Sequence, residues 1–409
     1  MNSMYRELLT EITRTGVLTD SLKFMWENFS FNTVIMLLMM IFSFVGCIDK
    51  LRGNKHGYGA KFDEAFATLQ PLAFAMIGCI CLVPILKLLL EPIITPVYEF
   101  FGASPAMFAG TILPIDSGAY PLAMELAGEE KALGCFSGAV LGGTFGCLII
   151  GFIPISMSVI DKKYFDSLSM AVLIAVITIP LGCIAGGLSM NLTPYKLTFR
   201  EIMVNLIPAI IVAAIVAAGL ALRPREVMNI FYVIGRGMQV ILVASISVAA
   251  FQAMTGIRIP LLRLMVEPSP ETGISPLTDS LIVIGNIALI LSGAFPMVLW
   301  VSRAFKKPIM LLSRKMGMNE AGGTALIAAV ASYFPAAGLV PEMNEKSRLL
   351  VITFSVSASF VFGDHLGYIA GVNQDMVLPT IVAKLTGGIT AMILANIAAP
   401  KLLKKIGKA

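Results

Sequence analysis

The sequence predicts an all-α membrane protein that crosses the bilayer many times, on three observations. Apolar residues make up 57% of the 409 and charged residues only 13%, against about one quarter charged in a soluble domain. Runs of about twenty apolar residues, the length needed to cross roughly 30 Å of hydrocarbon, recur from Phe31 almost to the C-terminus. Between those runs no stretch is long enough to fold as a soluble domain. Lipid is therefore the solvent for most of the chain.

Residues 1–29 carry Glu7, Glu11, Arg14, Asp20, Lys23 and Glu27 and are too charged to span. Leu8, Leu9, Ile12, Val17, Leu18 and Leu22 are spaced loosely along one helical face, so the stretch reads either as an amphipathic segment lying on the membrane or as a flexible extension. The first apolar run ends in Cys47-Ile-Asp with no small-residue cleavage site, which argues against a removable signal peptide. Apolar runs set against charged breaks place segments near 31–48, 68–90, 105–125, 133–158 and 167–189, then near 202–222, 229–252, 280–302, 320–341, 348–371 and 378–398. The expected architecture has about 9–11 spans: a first half over 30–190, a connecting helical region over 191–228, a second half over 229–400 and a basic tail over 401–409.

Two stretches resemble each other at an offset of about 215 positions. Glu91-Pro92, Phe101-Gly102-Ala103-Ser104, Gly110-Thr111 and Glu130-Lys131 are answered by Lys307-Pro308, Met316-Gly317-Met318-Asn319, Gly323-Thr324 and Glu345-Lys346. The corresponding loops carry opposite charge, Glu91 and Glu99 against Arg303, Lys306, Lys307, Arg314 and Lys315, as copies inserted in opposite directions would. In the preceding loops Arg52, Lys55 and Lys61 stand against Glu267, Glu271 and Asp279, diluted by Arg258 and Arg263. Inverted repeats need an odd number of crossings between copies, so one segment per half should fail to cross. The candidates are 105–125, interrupted by Pro114 and Pro121, and 320–341, interrupted by Pro335, because proline removes a helical hydrogen bond and frees carbonyls. Each is read as re-entrant or as a kinked helix.

Ionisable side chains inside apolar runs carry the functional signal, since an acid at the bilayer centre costs about 3 kcal/mol. Asp116, in Pro114-Ile-Asp-Ser-Gly-Ala-Tyr-Pro121, is the clearest case. A helix would set Tyr120 over the same face, so that carboxylate and ring contact one cation. Glu125 closes the same segment. Gly363-Asp364-His365-Leu366-Gly367 offers a carboxylate and an imidazole that bind a cation, relay a proton or satisfy each other. Arg236 and Lys384 also need partners, either as counter-ions of a buried acid or by snorkelling. Phe295 and the Tyr333-Phe334 pair are candidate aromatic walls. The pattern points to a transporter of a small organic cation.

The formal charge of +5 sits in short clusters beside apolar runs, which signals topology rather than a nucleic-acid surface. Cys47, Cys79, Cys81, Cys135, Cys147 and Cys183 lie in or beside hydrophobic segments, where thiols serve as small packing residues; their spacing suits neither zinc nor a redox pair, and no cofactor is expected.

Pro96-Val-Tyr-Glu-Phe-Phe-Gly-Ala-Ser-Pro-Ala-Met-Phe-Ala-Gly-Thr111, followed by Asp116 and Glu125-Leu-Ala-Gly128, resembles the ethanolamine permease family EutH. Similar matches are Ile177-Thr-Ile-Pro-Leu-Gly-Cys-Ile-Ala-Gly-Gly-Leu188, Gly293-Ala-Phe-Pro-Met-Val-Leu299, Gly363-Asp-His-Leu-Gly367 and Ala383-Lys-Leu-Thr-Gly-Gly-Ile-Thr-Ala391. The resemblance runs from about Phe31 to the C-terminal region and leaves residues 1–29 as an extension. It implies uptake of ethanolamine across the bacterial cytoplasmic membrane, with ethanolamine and the lipid bilayer as partners. Oligomeric state is left open, a homo-oligomer included.

On this reading Asp116 binds the ammonium, Asp364 and His365 line or gate the path, and Ser117, Asn286 and Ser332 are candidates for the substrate hydroxyl. A small pocket closing on a two-carbon ligand would exclude choline by size. The competing readings are a passive channel or carrier for ammonium or another amine, and a membrane-embedded enzyme acting on lipid head groups. The enzyme is disfavoured, because His56 and His365 are the only histidines and no HExxH motif exists.

Overall fold

The computed structural model describes residues 10, 14, 16–27, 29–270 and 272–406. Its helices, numbered in chain order, are α1 Gly16–Glu27, α2 Phe31–Leu51, α3 Tyr58–Ala67, α4 Leu69–Phe100, α5 Met107–Ile112, α6 Ala119–Ala127, α7 Lys131–Val159, α8 Phe165–Ser189, α9 Phe199–Leu222, α10 Pro224–Thr255, α11 Pro276–Lys315, α12 Glu320–Ala329, α13 Tyr333–Gly338, α14 Glu345–Ala358, α15 Asp364–Val372 and α16 Val377–Ile406. No strand occurs among the described residues. On α1, Val17, Leu18 and Leu22 are all exposed; Leu8, Leu9 and Ile12, the rest of the expected apolar face, lie outside the described residues, as do Glu271 and residues 407–409.

Among the described residues, eight helices are long and apolar enough to cross a membrane: α2, the continuous α3–α4 rod, α7, α8, α9, α10, α11 and α16. The protein is an all-α, polytopic membrane protein. The other three apolar segments expected from the sequence, 105–125, 320–341 and 348–371, are the ones whose helices break. They appear as α5/α6, α12/α13 and α14/α15, each piece too short to span alone. This is why eight long helices stand where 9–11 spans are expected. The connecting region 191–228 contains a full-length helix, α9.

Local chemistry explains the helix starts. Ser30 and Thr33 form a capping box at α2, as do Thr198 and Glu201 at α9, while the side chains of Ser275, Asn319 and Asn344 accept backbone N–H groups at α11, α12 and α14. Most of α7 is wound as a π-helix, Phe136–Phe152, and it is almost wholly enclosed by its neighbours.

The helices pack in two groups, with α9 set between them on α8 and α10. In one, α2 lies on α11 and α10 lies on α4. The backbones touch there: a methyl added at Gly293 would sit 1.9 Å from the Met39 carbonyl oxygen, and one at Gly78 would sit 2.2 Å from that of Leu242. The other group contains α7, α8, α14 and α16, with the α8–α16 pair as its axis. There Gly182 faces the Ala383 carbonyl oxygen, 2.5 Å from where a Cβ would be. Small residues permit such approach, and van der Waals packing between helices replaces the hydrophobic effect in lipid.

Candidate functional site

Asp116 lies between α5 and α6. Leu113 and Pro114 are extended, Ile115–Ser117 make one 3-10 turn, and Gly118 reverses the chain at φ +102°. That φ is open to glycine and strained for other residues, and Gly118 also stands where a Cβ would enter the Cys79 sulfur. The turn leaves the carboxylate of Asp116 beside the Ser117 hydroxyl, which donates to it at 3.2 Å.

The acid of the second half is held by another break. After Ser359 the chain turns at Phe360, φ +60°, and its N–H groups at Phe360 and Phe362 donate to the carbonyls of Ala329 and Val330 at 3.1 and 2.9 Å. The gap between α14 and α15 is thereby stitched to the gap between α12 and α13, which satisfies backbone groups that lipid would leave bare. Gly363 fits only because it has no side chain, since a Cβ there would lie 1.9 Å from the Ala331 carbonyl oxygen. Asp364 then starts α15.

The three breaks meet at one cavity of about 800 Å³. Asp116, Ser117, Ser332, Asp364 and His365 line it, as do the aromatic side chains of Phe295, Tyr333, Phe334 and Phe360. Its outer part is bounded by Glu64, Thr68, Ser158, Arg236 and Gln239, so its mouth lies at the end of the molecule that carries the 52–57 loop. His365 is 5% exposed, its Nε2 3.7 Å from the Cys147 sulfur and its ring 5.4 Å from that of Phe360. Behind this wall Lys384 is 1% exposed and its Nζ donates to the Gly143 carbonyl at 2.6 Å. Gly143 lies about one turn before Cys147, which lines the cavity beside His365. Arg236 instead lies exposed on α10 and donates to Gln239 at 3.3 Å.

Three other residues singled out by the sequence lie elsewhere. Tyr120 is buried on α6 away from the cavity, its hydroxyl accepting from Asn373 Nδ2 at 2.8 Å. Glu125 is paired with Lys87 at 2.8 Å on a half-exposed surface, and Asn286 is exposed on α11. Cys147, Phe360, Glu64 and Ser158 line the cavity without having been singled out. Phe360 had one legible signal, its place in an aromatic-glycine-acid run, Phe360-Val-Phe-Gly-Asp364. An ammonium ion placed in this cavity would meet two carboxylates, hydroxyls and ring faces.

Residues 31–398 match the family described as Ethanolamine utilisation protein, EutH. The chain belongs to the EutH family. It is 39% identical over 376 residues to a Listeria monocytogenes protein named "Probable ethanolamine permease EutH", covering 92% of this chain and 96% of that one. A protein of the same name from Escherichia coli is 35% identical over 393 residues, covering 90% and 96%. A Bacillus subtilis protein named "Uncharacterized protein YxeR" is 33% identical over 361 residues, covering 88% and 93%. No solved structure matches. Every cavity-lining residue falls within the EutH match, whereas α1 falls outside it. With bacterial relatives and spans built of helices rather than a β-barrel, this EutH-family chain is a multi-pass protein of the bacterial cytoplasmic membrane.

Proposed function

We propose that this protein is a permease for ethanolamine, carrying the protonated amine through the cavity shared by Asp116 and Asp364. The observation that carries the reading is the convergence of two carboxylates, from breaks in different halves of the chain, on one cavity. Ethanolamine at neutral pH is mostly an ammonium, which crosses lipid poorly because hydrocarbon strips its water. A carboxylate replaces that water, the faces of Phe295, Tyr333 and Phe360 add cation–π attraction of about 0.5–2 kcal/mol, and the Ser117 and Ser332 hydroxyls serve the substrate hydroxyl. Lys384 balances Asp116 from behind, so the empty site does not hold two uncompensated acids. The permease names of the relatives support a transporter rather than an enzyme.

The open cavity is far wider than a two-carbon amine, so rejection of choline by size belongs to a closed state. Lys50, Arg52, Lys55, Lys61, Lys162, Lys163, Arg223 and Arg225 all lie at the mouth end, which faces the cytoplasm on the positive-inside rule.

Counterflow in proteoliposomes tests the proposal. Unlabelled ethanolamine trapped inside should accelerate entry of labelled ethanolamine, and choline should not. Flux without trans-acceleration would make the protein a channel, and flux that ethanolamine does not compete for would make another amine the substrate.

A further inference from the structure

We propose that the moving body of this carrier is built from both halves of the chain, and that it slides against a frame also built from both. The frame is α2, the α3–α4 rod, α10 and α11. The moving core is the broken segments α5/α6 and α12/α13 with α7, α8, α14, α15 and α16. This division rests on the carrier reading and deepens it, because Asp116, Ser117, Ser332, Asp364 and His365 all ride on the core. The frame supplies only the facing wall, chiefly Phe295, Arg236 and Gln239.

Two kinds of helix contact mark the division. Within each group, glycines bring backbone against backbone: Gly78 on Leu242 and Gly293 on Met39 in the frame, Gly182 on Ala383 and Gly363 on Ala331 in the core. Such contacts interlock, since a carbonyl has no rotamer to give way. Between the groups, flexible side chains are the nearest atoms facing a glycine: Met310 against Gly323 and Leu291 against Gly367. Side chains exchange rotamers and let surfaces shear.

The chain passes from frame to core at two matched points. Gly102, φ +68°, follows α4, and Gly317, φ +75°, follows α11, at the sequence offset of the repeat. Positive φ at both fits a pair of hinges. Inside the core each broken segment is tied to the other half by a tyrosine, Tyr120 to the α15–α16 junction and Tyr333 to α7. Tyr120 accepts from Asn373 at 2.8 Å, and Tyr333 accepts from Ser156 at 3.0 Å. The two bonds are related by the same repeat and hold both segments to one body.

Disulfide trapping tests the division, with the remaining native cysteines replaced. Leu291→Cys with Gly367→Cys crosses the boundary, and shortening Leu291 makes room for the new thiol. Ile287→Cys with Gly371→Cys is a second boundary pair, should the first fail to fold. Ser43→Cys with Ser292→Cys lies within the frame, where the two hydroxyls are 2.8 Å apart. Thr144→Cys with native Cys183 lies within the core, at 3.3 Å.

Oxidising a boundary pair should cut uptake at least tenfold, reversibly with reductant, while the internal disulfides leave at least half. Motion is also read without substrate, through labelling of Ser158→Cys at the mouth by an impermeant thiol reagent. A boundary disulfide should hold that labelling at one constant rate, so failure of the ethanolamine reading would not hide the result. Internal disulfides that stop uptake as fully as the boundary ones, or a boundary disulfide that leaves uptake and labelling unchanged, would overturn the proposal.

Discussion

The segments 107–127 and 320–342 are built alike and used differently. Each is two short helices around a break, and each ends its break near a tyrosine hydrogen-bonded to the other half of the chain. The first carries an acid, Asp116, at its break, whereas the second offers a hydroxyl, Ser332, and the matching acid comes from the neighbouring break at Asp364. Tyr333 faces the cavity and Tyr120 is sealed away from it. Two segments of like build therefore need not carry like chemistry. A site that takes one cation has use for two unequal acids at its centre, not for two copies of one.

The sharpest way to break this comparison is to remove one acid at a time. Asp116→Asn should lower ethanolamine uptake at least about thirtyfold, because losing one partner of a desolvated charge pair costs about 2–5 kcal/mol. Uptake assayed with the membrane level of the protein confirmed would check it, and normal uptake would remove Asp116 from the site. Asp364→Asn should cost less, about tenfold, and mainly in apparent affinity, since Asp116 still holds the ammonium. Equal losses from the two would restore symmetry to the site.

Gly363→Ala should act through the scaffold. Its methyl would press on the Ala331 carbonyl and part the two stitched breaks, an overpacking cost of about 1–3 kcal/mol visible as a lower melting temperature in detergent. The smallest effect is expected from Glu125→Gln. Its pair with Lys87 is about one-third exposed and worth less than about 1 kcal/mol, so uptake should stay within about twofold.

Much of this was legible in the sequence. Apolar runs located every long helix, and proline inside 105–125 and 320–341 marked two of the three breaks. The third, at Ser359–Gly363, has no proline; it depends on hydrogen bonds to Ala329 and Val330, some thirty residues away. The same limit applied to individual side chains. Lys87 sits in an apolar run whose neighbours say nothing of Glu125, so Glu125 read as a site candidate rather than as half of an ion pair. Helical spacing sets Tyr120 beside Asp116, but no single helix joins them: between a 3-10 turn and α6, Gly118 turns the chain at positive φ and sends the ring toward Asn373.

The close contacts at Gly78 and Gly293 bear on how this protein tolerates mutation. Lipid-facing positions such as Phe44, Phe100 and Ile397 accept a wide alphabet of apolar residues, because a fluid tail adapts to any of them. At Gly78 and Gly293 the alphabet has one letter, since any side chain would run into a carbonyl oxygen of the facing helix. A saturation scan would find these two among the least permissive positions in the chain, though neither touches the cavity. Part of the specification of a membrane protein is written in residues that present no side-chain chemistry at all.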